Sequence, residues 1–137
     1  MGTVTSVSAS SVKDSFSRCC VNPKFLDRFY EIFLGSHPTI APMFRNTDFA
    51  RQKQLLRTGL TMVLMHATGN KVGTQGLDRI GQSHSRKGLN IDPALYPNWV
   101  ESLIKAVKEC DPQCDRKMEE DWRDVLKQGT ALIASQY

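Results

Sequence analysis

Apolar residues recur along most of this chain at spacings of three and four, the period of a helix buried on one face. Val12, Phe16 and Cys19 form a first stripe, with serines at 8–10 as capping residues. Asn22-Pro23 breaks the chain, and a proline in the first turn starts a second helix bearing Phe25, Leu26, Phe29, Tyr30, Ile32 and Phe33. Gly35-Ser36-His37-Pro38 ends it, and Pro38 opens a short helical turn running to Phe44. Asn46-Thr47-Asp48 reads as the cap of a long helix with Phe49, Gln52, Leu56, Leu60 and Val63 on one stripe. Residues 69–76, bounded by glycines, read as a loop before a helix that places Leu77, Ile80, Gly81 and His84 on one face. Asp92-Pro93 starts a helix with Tyr96, Trp99, Val100, Leu103 and Val107, and a turn over 110–116 precedes a last helix carrying Met118, Trp122, Val125, Gly129, Leu132 and Ile133. No segment alternates with the period of a strand. The pattern predicts one all-α domain of six to eight helices, with residues 1–7 as a disordered tip.

Length and composition agree with that picture. A chain of 137 residues, 40% hydrophobic and 23% charged, is long enough to build a core without disulfide or zinc staples. No apolar run approaches the roughly 20 residues of a membrane span, and the N-terminus lacks the basic and apolar regions of a secretory signal, so a cytoplasmic location is expected. Met1-Gly2-Thr3-Val4-Thr5-Ser6 fits the permissive myristoylation pattern, but a plain polar tip is the simpler reading. The net charge of +4 is dispersed, without a basic run interleaved with aromatics, so nucleic acid is not an expected partner. The four cysteines fall as Cys19-Cys20 and Cys110-x3-Cys114, neither a CxxC nor a zinc spacing, and are expected as reduced thiols.

His84 is the residue that calls for chemistry. An imidazole on an otherwise apolar stripe needs a partner, because an unpaired buried polar group costs roughly 1–3 kcal/mol. A metal ion is one such partner, and an ordinary satisfied core histidine is the other reading. The order of special residues decides between them: Phe29-Tyr30 in mid-helix, Pro38, Phe44, then Gln52 and Leu56 one turn apart, then His84 32 residues after Gln52, then Tyr96 and Trp99.

In this order the chain resembles the globin family, most nearly the bacterial single-domain hemoglobins and the globin half of flavohemoglobins, from about residue 8 to the end. The resemblance implies a globin fold around a heme pocket, with heme b (iron protoporphyrin IX) as cofactor. It makes His84 the proximal iron ligand, Phe44 the phenylalanine that wedges the heme, and Tyr30 and Gln52 the polar distal pair. Leu56 becomes the apolar residue near the iron, and Pro38 the start of the short third helix. Ile80 is expected under the porphyrin, Tyr96 and Trp99 along its proximal and inner walls, and Arg86 with Lys87 toward the propionates. Ser83 is placed to accept the outer imidazole N–H.

The family implies binding of dioxygen, nitric oxide and carbon monoxide. It also raises nitric oxide dioxygenase activity, which would depend on an external reductase because no flavin domain follows. A gas or redox sensor with a globin fold is the reading from another class.

Two points stay open at this level. The stretch from Phe44 to Gln52 is about two residues shorter than in flavohemoglobins, so Arg51 with Leu55 is an alternative distal pair; Gln52 is preferred because the other register brings Gly59 inward. The last-helix glutamate that flavohemoglobins place against the proximal histidine falls on Tyr137. His66 lies 14 residues beyond Gln52, about 21 Å along a helix, and His37 sits at a helix corner; neither is expected to ligate.

Overall fold

The three-and-four spacing becomes seven α-helices and no strand among the described residues, 6–137 of a computed structural model. They are α1 (Ser6–Val21), α2 (Phe25–Leu34), α3 (Ile40–Met43), α4 (Phe49–Ala67), α5 (Lys71–His84), α6 (Tyr96–Cys110) and α7 (Arg116–Ser135), with a 3-10 turn at Pro93–Leu95 ahead of α6. Helix α1 begins at Ser6, so positions 6 and 7 of the expected disordered tip are helical. The remainder of that tip, and with it nearly all of the lipidation-like pattern, lies outside the described residues. No described helix is long and apolar enough to cross a membrane.

Short polar side chains start most of the long helices, because the first N–H groups of a helix have no intrahelical acceptor. Asp48 accepts from the N–H groups of Ala50 and Arg51 at 3.1 and 3.3 Å, Asn70 from Val72 at 2.9 Å, and Asp115 from Met118 at 2.8 Å. Each apolar stripe then turns inward. Phe25, Phe29, Leu60, Leu77, Leu103, Trp122 and Leu126 are almost fully buried, and burial of each such side chain contributes roughly 1.5–3 kcal/mol.

A further expectation fails between α4 and α5. Residues 69–76 are not a loop: α5 begins at Lys71, leaving only 68–70 to join it to α4. The glycines read as loop signals are close-packing positions. A Cβ on Gly73 would stand 2.5 Å from Met65 Cβ and 2.6 Å from the His66 amide nitrogen, and one on Gly76 would stand 2.7 Å from Met62 Sδ. Without side chains at these points, α4 and α5 close into a tight antiparallel hairpin. Its other flank rests on α7, where Gly129 meets Val63 and Gly81 meets Gln136 and Ile133.

A buried polar knot ties the far side of the molecule. The Asp111 side chain is fully buried and accepts from Arg18 Nε at 2.7 Å and Nη2 at 3.0 Å, from Ser15 Oγ at 2.6 Å and from the Gln113 N–H at 2.9 Å. Trp122 Nε1 donates in turn to Ser15 Oγ at 2.8 Å. This joins α1, the α6–α7 turn and α7. All four cysteines are free thiols, and burial drives Cys19 far above the usual thiol range.

Candidate functional site

His84 is the last residue of α5, half-buried, at the end of the hairpin away from the glycine contacts. The chain folds back on it immediately. Ile91 N–H donates to the His84 carbonyl at 2.9 Å, and Leu89 N–H to the Ser83 carbonyl at 2.8 Å. Gly88 packs against that same carbonyl so closely that a Cβ has no room. These bonds satisfy carbonyls that α5 leaves open and fix the direction in which the imidazole leaves the helix.

The imidazole is oriented as well. Ser83 Oγ donates to the Ile80 carbonyl at 2.9 Å and lies 3.1 Å from His84 Nδ1. With its proton committed to Ile80, the serine oxygen is an acceptor toward Nδ1, so the hydrogen belongs on Nδ1 and the lone pair on Nε2. Nε2 has no hydrogen-bond partner among the described residues. Burial lowers the His84 pKa and so favours the neutral ring, and the Ile80 carbonyl opposes this in part. The other two histidines are engaged locally: His66 Nδ1 lies 2.7 Å from Thr74 Oγ1, and His37 Nδ1 2.8 Å from Thr39 Oγ1.

Tyr30 rises from α2 into an aromatic cluster. Its ring centroid lies 4.9 Å from Phe29, 5.4 Å from Phe49 and 6.0 Å from Phe44, and Phe44 stacks on Phe49 at 6.1 Å. The hydroxyl donates to the backbone carbonyl of Gln52 at 3.5 Å, a long and weak bond. Burial pushes the phenol up to about 12, the Gln52 bond opposing only slightly, so the group remains a proton donor throughout the neutral range. Phe44 and Tyr30 thus meet, with the start of α4 beside them.

Helix α4 separates the two candidate apolar residues. Leu56 is buried in the core, whereas Leu55 is 53% exposed. Gln52 is half-buried and Arg51 exposed. Gly59 faces α5, since its Cβ would lie 3.9 Å from Ile80 Cδ1. The inward glycine that argued against the Arg51 register is therefore where Ile80 approaches α4.

Around the loop after His84, Arg86 stacks on Tyr137, with its guanidinium carbon 4.6 Å from the ring centroid. The Tyr137 hydroxyl donates to Asn90 Oδ1 at 2.7 Å rather than to His84. Tyr96 is half-buried, and burial, with Tyr137 nearby, raises its phenol. Trp99 packs edge-on against Phe29 at 6.2 Å, and Lys87 is exposed. Tyr137 as an aromatic cover on this loop was not evident from sequence; a terminal Tyr after a helix carries no spacing signal.

The solved structure of PA3967 from Pseudomonas aeruginosa PAO1, described as structurally highly homologous to a human hemoglobin, superposes on this chain with a TM-score of 0.91 at 42% identity. The match covers 95% of this chain and 98% of that one. The chain belongs to the globin family. No protein-family profile matches it, and no curated protein matches it in sequence. As a globin, it has the all-helical architecture that its hydrophobic pattern predicted. In this globin His84 ends α5 with one ring nitrogen free of hydrogen bonds among the described residues, Tyr30 of α2 is buried beside Phe44 and Phe49, and Gln52 lies half-buried in the first turn of α4. No cluster of three or more His, Cys, Asp or Glu that would hold a bare metal ion occurs among the described residues.

Proposed function

We propose that this globin would hold heme b through His84, with dioxygen, nitric oxide or carbon monoxide as the gaseous ligands. The observation that carries this reading is the state of His84: Nδ1 held by Ser83, Nε2 free, and the ring neutral at the end of a fixed helix. A single imidazole does not retain a bare ion, so the donor set fits an iron whose other ligands arrive with it in a macrocycle. Apolar and aromatic groups only partly covered at the same end of the hairpin, Phe44, Phe49, Ile80 and Trp99, suit a flat hydrophobic group. Heme, when bound, supplies the iron that takes the gas.

The chain's own residues do the rest. Tyr30 offers a hydroxyl proton from a dry aromatic setting, where a hydrogen bond to a partly negative ligand atom is strengthened. Gln52 adds an amide from the first turn of α4, whose backbone carbonyl Tyr30 reaches, and Ser83 keeps the imidazole proton on the outer nitrogen. With serine and carbonyl partners rather than a carboxylate, His84 remains a neutral ligand, which suits reversible ligand binding.

Reconstitution with hemin tests the reading. The wild-type protein is expected to show a Soret band that shifts on reduction and again with carbon monoxide. His84→Ala should lose most of that band at unchanged far-UV circular dichroism, and added imidazole should restore it. Normal heme retention by His84→Ala would overturn the assignment.

A further inference from the structure

We infer that Tyr137 is a positioning residue for His84: clasped by Arg86 and Asn90, it holds shut the loop over residues 85–91 and so fixes where the imidazole stands. The inference rests on the proposed heme ligation by His84. Its first support is how that loop closes. Residues 85–91 contain neither a helix nor a buried side chain. Four N–H groups fold them onto the end of α5: Gly88 and Asn90 donate to the Ser85 carbonyl at 2.9 and 2.8 Å, Leu89 to Ser83 at 2.8 Å, and Ile91 to His84 at 2.9 Å. Asn90 takes a left-handed backbone, φ 52°, to complete the turn. Exposed backbone bonds of this kind open readily unless a contact from outside the loop holds them.

Tyr137 supplies that contact, and it meets the loop at both ends. Near the start, the Arg86 guanidinium carbon lies 4.6 Å from the centre of the Tyr137 ring. Near the finish, the Tyr137 hydroxyl donates to Asn90 Oδ1 at 2.7 Å, a short bond. The same asparagine thus carries the left-handed turn in its backbone and the clasp in its side chain.

The approach of Tyr137 is itself fixed from α5. Its neighbour Gln136 donates from Nε2 to Asp78 Oδ1 at 3.0 Å, and covers Gly81 so closely that a Cβ there would stand 2.6 Å from Gln136 Cγ. These grips fall six and three residues before His84, on the helix that ends with it. Residues 136 and 137 therefore hold the chain on both sides of His84, the helix before it and the loop after it. Ser83 sets the tautomer of the ring, whereas the clasp sets the backbone from which the ring projects.

Amide hydrogen exchange on the full chain, together with spectra of the heme-loaded protein, tests this. Tyr137→Ala is expected to speed exchange at Leu89, Asn90 and Ile91 by about tenfold or more, with the amides of α2 and α6 unchanged. Tyr137→Phe, which keeps the ring and removes only the bond to Asn90, should speed it about threefold. In an Asn90→Gly background, where that bond is already gone and the left-handed turn is kept, Tyr137→Phe should have no further effect. In the reduced heme-loaded protein, the iron–imidazole stretching band, read by resonance Raman, should shift or broaden in Tyr137→Ala. Hemin should also pass to a competing apo-globin about tenfold faster. Circular dichroism checks the helix content, and Tyr137→Phe carries the test if the alanine variant loses helix. Unchanged exchange at residues 89–91 in Tyr137→Ala would overturn the inference. Faster exchange with an unshifted band and wild-type hemin loss would overturn it too, since the loop would then have no hold on the imidazole. Absence of any Soret band in the wild type would instead remove the heme reading and this role of Tyr137 with it.

Discussion

Tyr30 shows how one residue divides between structure and ligand. Its ring is fixed by Phe29, Phe44 and Phe49, but its hydroxyl has only a 3.5 Å bond to a backbone carbonyl. Tyr30→Phe therefore keeps the packing and gives up little, under about 1 kcal/mol of stability. In the heme-loaded protein the same change should speed dioxygen release, since a bond to a partly charged ligand in such a setting is worth roughly 1–3 kcal/mol, or about 5- to 150-fold in rate. Carbon monoxide release should change much less, because its outer atom carries little charge. Stopped-flow displacement of both gases measures this, and equal small effects would mean that the hydroxyl points elsewhere. At this scale the sequence singles out residues of distinctive chemistry, and the structure puts Ser83 beside His84 and Phe44 beside Tyr30. It was ambiguous between Leu55 and Leu56, because adjacent leucines have the same chemistry and only packing distinguishes the buried Leu56 from the exposed Leu55.

The elements were legible to the extent that polar caps and apolar stripes fixed them. Asp48 and Asp92 mark starts that the structure keeps, and the α2 stripe is buried from Phe25 to Phe33. The α4–α5 connection was not legible, since a glycine that breaks a helix and a glycine that lets two helices touch look alike in a sequence. The two roles make different predictions. Gly73→Ala places a methyl against backbone and a Cβ, which cannot yield, and should cost about 1–3 kcal/mol. Gly76→Ala presses on the end of the Met62 side chain, which can swing aside, and should cost less. Thermal melts rank the two, and a stabilising effect of both, as alanine would have in an open helix, would contradict the close packing.

For the molecule as a whole, acid stability should depend on the knot around Asp111. Burial alone would raise its carboxyl, but Arg18, Ser15 and the Gln113 N–H outweigh that and hold it below the usual carboxylate range. A group whose folded pKa is depressed stabilises the fold at pH above its unfolded value, about 3.9, and loses that contribution as pH falls through the folded one. Denaturant midpoints of the wild type should thus drop below about pH 4. Asp111→Asn should be less stable at neutral pH, because it removes the buried carboxylate shared by Arg18, Ser15 and the Gln113 N–H, and its acid limb should be flatter. A parallel pH profile in the variant would show that other carboxylates set the limit. This knot anchors α1 and α7, on which the hairpin rests, and the hairpin is itself clamped at one end. From Gly73 to His84 is eleven residues, about 16 Å of helix, so a small change of angle at the clamp becomes a larger displacement at the imidazole. Substitutions at Met62, Met65 or the joining residues 68–70 can therefore shift His84 relative to α4 through leverage. On the proposed heme reading, gas affinity would then be adjustable in evolution, or by an engineer, without altering any group that meets the ligand.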